Sequence, residues 1–148
     1  MKRFGGVDSV ILWHTYPNIG IDDRNQHDHL RDMPGGLDGL KKMVADFHKR
    51  GVRVLIPIMP WDRGTREESI PLREAMARDA KAIGADGLFG DTLSGIGREF
   101  AEAAPGVVLE PELNLGDDAM LAWNTTSWGQ FWDEPFAPGI SAYRWLEP

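Results

Sequence analysis

The sequence predicts an α/β fold in which parallel strands alternate with helices. Two observations support this class. Short apolar runs rich in β-branched residues recur along the chain, and segments with helical spacing of apolar residues lie between them. Connections that follow helices are short, whereas connections that follow strands are longer and polar. Such an alternation is typical of a parallel sheet built from βα units.

The first half of the chain predicts two strands and one helix. Residues 7–14 (VDSVILWH) predict a strand, and the polar stretch that follows predicts a long loop. An amphipathic helix is predicted over residues 36–51, which end at a glycine stop, because apolar side chains recur there at helical spacing: Leu37, Leu40, Met43, Val44 and Phe47. Residues 52–61 (VRVLIPIMPW) are almost continuously apolar, which indicates a strand buried on both faces.

The second half continues the same alternation. Pro71 favours a helix start, and helices are predicted over 70–86 and 95–106. The third strand is predicted at 87–92 (GLFGDT) and the fourth at 107–112 (VVLEPE). Residues 117–128 predict a helical start, and residues 140–148 predict a fifth strand.

Polar residues close nearly every predicted strand: His14, Asp62, Asp91, Glu110 with Glu112, and Glu147. In a TIM barrel the C-terminal ends of the strands supply the active site. A doubly wound open sheet is the alternative, but no glycine-rich dinucleotide turn follows the first strand. The pattern therefore favours a partial (β/α)8 TIM barrel of four to five strands.

A complete barrel takes about 250 residues and about eight strands, whereas this chain has 148 residues. We therefore expect residues 1–148 to form one partial barrel domain, truncated at both ends; the alternative is a complete small α/β domain. A partial barrel has two open edges, so its expected partner is the remainder of the barrel or a second copy of the chain. We expect no activity from the chain alone.

Composition excludes several classes of function. The net charge of -7 and the scattered Lys and Arg residues argue against a nucleic-acid partner. The absence of Cys excludes disulfides and thiolate metal sites. No apolar run is long enough for a membrane span and no apolar leader follows Met1, so a soluble chain without a membrane partner is expected, in an undetermined compartment.

Asp91 and the Glu110-Pro111-Glu112 segment are the candidate catalytic residues. The two-residue period of a strand puts both glutamates on one face, and a neighbouring parallel strand lies about 4.8 Å away. Paired carboxylates catalyse glycoside hydrolysis, at about 5 to 5.5 Å with retention and about 6.5 to 9.5 Å with inversion. Alternatively, Asp91, Thr92 or Ser94 caps the next helix and the glutamates are solvated charges.

The segments HKRGVRVLIPIMPWD, GADGLFGDT and VVLEPE resemble the third, fourth and fifth strands of retaining TIM-barrel glycosidases of the α-amylase, α-glucosidase and α-galactosidase kind. The resemblance implies hydrolysis of an α-linked glycoside, with Asp91 as nucleophile and Glu110 or Glu112 as acid/base. The chain departs from these families at Phe89, where the α-amylase pattern has Arg and the α-galactosidase pattern has Lys.

Aromatic and polar residues at the strand ends are expected to bind a carbohydrate substrate, because aromatic faces pack against the apolar faces of sugar rings. The predicted set is Trp13, His14, Tyr16, Trp61, Asp62, Trp128 and Trp145, with Trp132 as a further platform.

The HDH segment at residues 27–29, near Asp22 and Asp23, suggests a metal-dependent hydrolase of amidohydrolase type as an alternative. The segment lies well past the first strand and no Cys or distant His pair completes a ligand shell, so no metal and no cofactor are predicted. A carbohydrate-binding barrel without catalysis is the third possibility.

Overall fold

The computed structural model describes residues 5–16, 21, 23–63, 68–95, 97–113 and 118–124. Strands and helices alternate along the chain, except that the first connection, between β1 and β2, contains two helices. The elements in chain order are β1 (Ser9–Ile11), α1 (Gln26–Arg31), α2 (Gly36–His48), β2 (Arg53–Ile58), α3 (Leu72–Ile83), β3 (Gly87–Gly90), α4 (Arg98–Ala103), β4 (Val108–Pro111) and a 3-10 helix (Asp118–Ala122). The predicted fifth strand lies outside the described residues.

The four strands form one parallel sheet in the order β1-β2-β3-β4, so each strand pairs with its neighbour in sequence. Helix α2 packs on α3, and α3 packs on α4, which places these helices side by side. The predicted α/β class with parallel strands is therefore confirmed. A doubly wound sheet needs a reversal of strand order, and the four described strands contain none.

The hydrophobic core lies between the sheet and the helices. Alternate residues of β2 (Val54, Ile56 and Ile58) contribute to it together with Leu88 and Leu109 of the next two strands. Because successive side chains of a strand point to opposite faces, the residues between them lie on the other face of the sheet. By the same alternation, the face of the sheet opposite the core carries Phe89, Asp91, Glu110 and Glu112.

Strand β1 is shorter than the predicted span of residues 7–14. The N–H of Leu12 donates to the Leu55 carbonyl and is the last ladder bond between β1 and β2. Pro57, two residues further along β2, has no N–H to continue this ladder. The ladder therefore ends at Leu12, and residues 13–16 are not part of the sheet.

The expected long loop after the first strand contains a helix, α1, so that prediction was wrong. Asn25 precedes this helix in an extended conformation, and its side chain accepts hydrogen bonds from the N–H groups of His27 and Asp28. Asparagine is among the strongest N-cap residues, and this cap satisfies two of the free N–H groups of the first turn. The HDH segment thus lies on a helix rather than in a loop.

A charge network joins α1 to α3 through Glu68. The Glu68 carboxylate lies 2.9 Å from Arg31 on α1 and 2.8 Å from Arg78 on α3. The hydrogen bond from Arg31 lowers the pKa of Glu68 to about 2, with Arg78 adding to this effect and burial opposing it. The Glu68 side chain is 14% exposed, so solvent screens the network only in part.

Replacing Glu68 with glutamine is expected to destabilise the fold by about 2 kcal/mol at neutral pH, after allowance for the partly exposed arginines. The folded pKa is lower than the unfolded one. The contribution of Glu68 to the free energy of unfolding is therefore complete above its ordinary pKa of 4.5. It disappears as the pH falls toward about 2. Urea unfolding of both proteins across this range measures the effect.

Glu102→Gln is the matched control, because Glu102 pairs with Arg98 inside α4 with its side chain 60% exposed. This control should change the free energy of unfolding by less than about 1 kcal/mol at neutral pH. A cost of Glu68→Gln that stays constant from neutral pH to pH 2 would contradict the network.

Among the described residues, no helix is long and apolar enough to cross a membrane.

Candidate functional site

Asp91 lies directly after β3, where its strand meets a tight turn. Its N–H donates to the Ile58 carbonyl at 2.9 Å, so the backbone of Asp91 is still held by β2. Gly90 permits the turn, because a Cβ at this position would lie 2.8 Å from the Leu93 side chain. The Asp91 side chain is only 6% exposed. A carboxylate this buried needs hydrogen-bond donors to remain charged.

Asp91 does not cap the following helix. Helix α4 begins at Arg98, and its N-cap is Gly97, which makes no side-chain cap bond. The alternative in which Asp91, Thr92 or Ser94 caps this helix is therefore wrong. The helix was predicted to begin at residue 95, whereas it begins at Arg98. Asp91 lies at the C-terminal end of β3.

Glu112 lies level with Asp91 on the neighbouring strand. Gly90 pairs with Pro111, so Asp91 and Glu112 are the next residues in register, and the Glu112 N–H donates to the Gly90 carbonyl at 2.9 Å. Neighbouring parallel strands are about 4.8 Å apart, which sets the separation of the two backbones. Glu110 pairs instead with Phe89 and lies one step deeper along the strands.

Thr92 links the two strand ends. Its backbone N–H donates to the Glu112 carboxylate at 2.7 Å, and its φ of 54° lies in the left-handed region. A β-branched residue adopts this conformation at a cost of about 1 to 3 kcal/mol, and such strain concentrates at functional sites. The sequence named Thr92 only as a possible helix cap and carries no signal for this conformation or for its bond to Glu112.

An aromatic cluster made of Trp13, Tyr16, Trp61 and Phe89 borders Asp91. The Trp13 ring lies 4.9 Å from that of Tyr16 and 5.4 Å from that of Phe89, and Tyr16 stacks on Trp61 at 6.2 Å. Tyr16 and Trp61 are each 48% exposed, so their rings are open to a ligand. Three of the predicted sugar-binding residues thus lie together beside Asp91.

The Tyr16 hydroxyl donates a hydrogen bond to the Asp91 carboxylate. Burial, the hydrogen bond to Asp91 and the charges of Asp91 and Glu112 together raise the pKa of Tyr16 to about 12. Tyr16 therefore keeps its proton, and remains a donor, throughout the neutral range.

His14 and Asp62 lie beside Gln26 of α1 and not in the aromatic cluster. His14 is buried, and its Nε2 lies 3.0 Å from the Gln26 carbonyl on α1. Burial lowers the pKa of His14, which favours the neutral ring. Burial also raises the pKa of Asp62, although three nearby histidines act in the opposite direction.

Gln26 organises this second region and was not identified from the sequence. Its side chain donates to the carbonyls of Met59 and Asp62 and accepts from the Met59 N–H. It therefore holds the end of β2 against α1. The Asn25 cap could have revealed the helix, but only the tertiary contact reveals the role of Gln26.

His27 and His29 do not form a metal site in the described part of the chain. The Nδ1 atom of His27 lies 2.6 Å from the Asp79 carboxylate, and both side chains are buried between α1 and α3. Among the described residues no group of three or more His, Cys, Asp or Glu side chains could hold a metal ion. Asp22, Trp128, Trp132, Trp145 and Glu147 lie outside the described residues.

No protein-family model matches the chain, and no curated protein sequence matches it either.

Proposed function

We propose that the chain provides four or five strands of a (β/α)8 barrel that hydrolyses an α-linked glycoside with retention of configuration. The observation that carries this proposal is the placement of Asp91 and Glu112. Both carboxylates follow neighbouring parallel strands at the same level and on the same face of the sheet. Retaining glycosidases place two carboxyl groups about 5 to 5.5 Å apart, a separation that adjacent strand ends readily reach.

The strand order supports the barrel. In a (β/α)8 barrel each strand pairs with its sequence neighbours and the helices form an outer layer, as β1 to β4 and their helices do here. The carboxylates then lie at the C-terminal ends of the strands and face the barrel interior. The remaining strands come from further polypeptide or from a second copy of the chain.

The proposed reaction has two displacements. In the first, a carboxylate oxygen of Asp91 bonds to the anomeric carbon while the glycosidic C–O bond breaks and the leaving oxygen takes a proton from Glu112. In the second, Glu112 removes a proton from water, the water oxygen bonds to the anomeric carbon, and the bond to Asp91 breaks. Two inversions give net retention.

Exposed aromatic rings support a carbohydrate substrate. Tyr16 and Trp61 stack beside Asp91 with about half of each side chain accessible. Aromatic faces bind the apolar faces of sugar rings, and the carboxylates next to them can accept hydrogen bonds from sugar hydroxyls. The assignment of an α-linkage comes from the resemblance of the strand segments to α-glycosidases.

The stereochemistry of the released sugar tests the proposal. We expect the longest natural polypeptide that contains these residues to cleave one of the 4-nitrophenyl α-glycosides of glucose, galactose or mannose. Proton NMR of the first product formed should detect the α-anomer before mutarotation. The 148-residue chain, assayed in parallel, should be inactive because it is too short to close a barrel, which takes about 250 residues.

Three outcomes would oppose this function. Initial release of the β-anomer would indicate inversion and remove Asp91 as a nucleophile. Sugar binding without turnover would favour a carbohydrate-binding barrel. Hydrolysis that stops with a chelator and returns with a divalent metal would favour the metal-dependent alternative.

A further inference from the structure

The hydroxyl of Tyr16 reaches Asp91 across the end of β2, the strand that lies between β1 and β3. Tyr16 follows β1, whereas Asp91 follows β3. We infer that Tyr16 is a positioning residue for Asp91, which holds the carboxylate charged and correctly oriented. This inference rests on the proposed function, because it assigns Tyr16 to the same reaction and adds to its predicted contact with sugar.

The surroundings of Asp91 leave Tyr16 as its side-chain donor. In the described ranges no Lys or Arg forms an ion pair with Asp91, and no other side chain donates to it. Phe89, the preceding residue on the same face of β3, packs against Trp13 and has no polar group to offer. A carboxylate that is 6% exposed therefore depends on the Tyr16 O–H for much of its stabilisation.

Two tryptophans fix the Tyr16 ring. Trp13 contacts its ring at an interplanar angle of 64°, and Trp61 stacks on it at 28°. A ring held by neighbours of this size has few alternative rotamers, so its hydroxyl is already oriented toward Asp91 before substrate binds. One carboxylate oxygen, Oδ2, accepts this bond, which leaves Oδ1 to attack the anomeric carbon.

Tyr16→Phe, made in the longest natural polypeptide that contains the chain, removes the hydroxyl and keeps the ring in its stack. Since a hydrogen bond to a charged group favours the charged form, the acid limb of the pH dependence of kcat/KM should move about one unit to higher pH. At a pH on that limb, kcat/KM should fall about tenfold. A residue that only packs would lower activity without moving the limb.

A second measurement does not depend on activity. The chain has two tyrosines, Tyr16 and Tyr143, so Tyr143→Phe leaves Tyr16 as a single NMR signal in tyrosine labelled at Cζ. The folded chain should keep Tyr16 protonated at pH 11, in line with a pKa of about 12. Asp91→Asn should lower this pKa toward 10, whereas Glu110→Gln, whose residue lies deeper along the sheet, should not.

The two measurements separate the inference from the proposed function. If Tyr16 ionises at its ordinary pH, or if Asp91→Asn leaves its titration unchanged, the positioning role is wrong even in an active glycosidase. If the titration responds but Tyr16→Phe leaves the acid limb in place, the role is likewise wrong. If the titration responds and no polypeptide containing the chain hydrolyses any glycoside, the proposed function fails and the role fails with it.

Discussion

Replacing Asp91 with asparagine is expected to lower kcat for glycoside hydrolysis by at least about a thousandfold. The amide has nearly the same shape and can still accept the Tyr16 hydrogen bond, but it cannot form the glycosyl ester. The fold should therefore survive while the first displacement is lost. Steady-state kinetics with an aryl α-glycoside, together with a urea unfolding curve for the same variant, measures both properties.

Glu112→Gln and Glu110→Gln form a matched pair on one strand and one face. The Glu112 variant should lose most of its activity toward substrates with poor leaving groups, since these need a proton from Glu112. The Glu110 variant should keep most of its activity, because Glu110 lies opposite Phe89 and not beside Asp91. Equal losses in the two variants would remove the assignment of Glu112.

Azide provides a direct test of the nucleophile. In Asp91→Ala, azide can occupy the space of the carboxylate and bond to the anomeric carbon through nitrogen as the leaving oxygen takes the proton of Glu112. A single displacement then gives a β-glycosyl azide from an α-glycoside. Restored turnover with this product supports Asp91 as nucleophile. Restored turnover with release of free sugar alone would contradict it.

The second large effect is expected at Asp79. Truncation to alanine should destabilise the fold by about 3 to 5 kcal/mol, because it leaves the buried His27 ring without its partner. Both side chains are at most 5% exposed, and the His27 Nδ1 to Asp79 distance is 2.6 Å. Arg78 and Arg31 approach the other Asp79 oxygen, so the variant also disturbs the link between α1 and α3. Urea unfolding followed by tryptophan fluorescence gives the free energy.

Two further variants define the mechanism at Asp79. Asp79→Asn keeps an oxygen that can accept from His27, so its cost should be smaller, about 1 to 2 kcal/mol. Asp46→Ala removes an exposed carboxylate of α2 that pairs with Lys49, the residue after the helix, and it should leave the unfolding midpoint nearly unchanged. If alanine and asparagine at position 79 cost the same, the buried hydrogen bond to His27 is not what Asp79 contributes.

Several parts of the fold could be predicted because their signals are local. The continuous apolar run of β2 and the spacing of Leu40 and Val44 in α2 reflect burial in a single element, which periodicity records directly. The strand ends at Asp91 and Pro111 were also predicted, since polar residues and a missing N–H mark where a buried ladder stops. The helix α1 was missed, although its Asn25 cap is a local signal that was available.

Apart from α1, the described strands and α-helices, the parallel class and the candidate residues Asp91, Glu110 and Glu112 could be predicted from sequence, because these follow from periodicity and from the order of elements along the chain. Only the tertiary structure decided which glutamate lies level with Asp91, because strand register depends on pairing between segments far apart in sequence. The same holds for the Tyr16 hydroxyl on Asp91, the left-handed Thr92 beside Glu112, the burial of His14 against α1 and the burial of His27 against α3. Each of these depends on where a distant segment packs, and no local pattern of residues encodes that position.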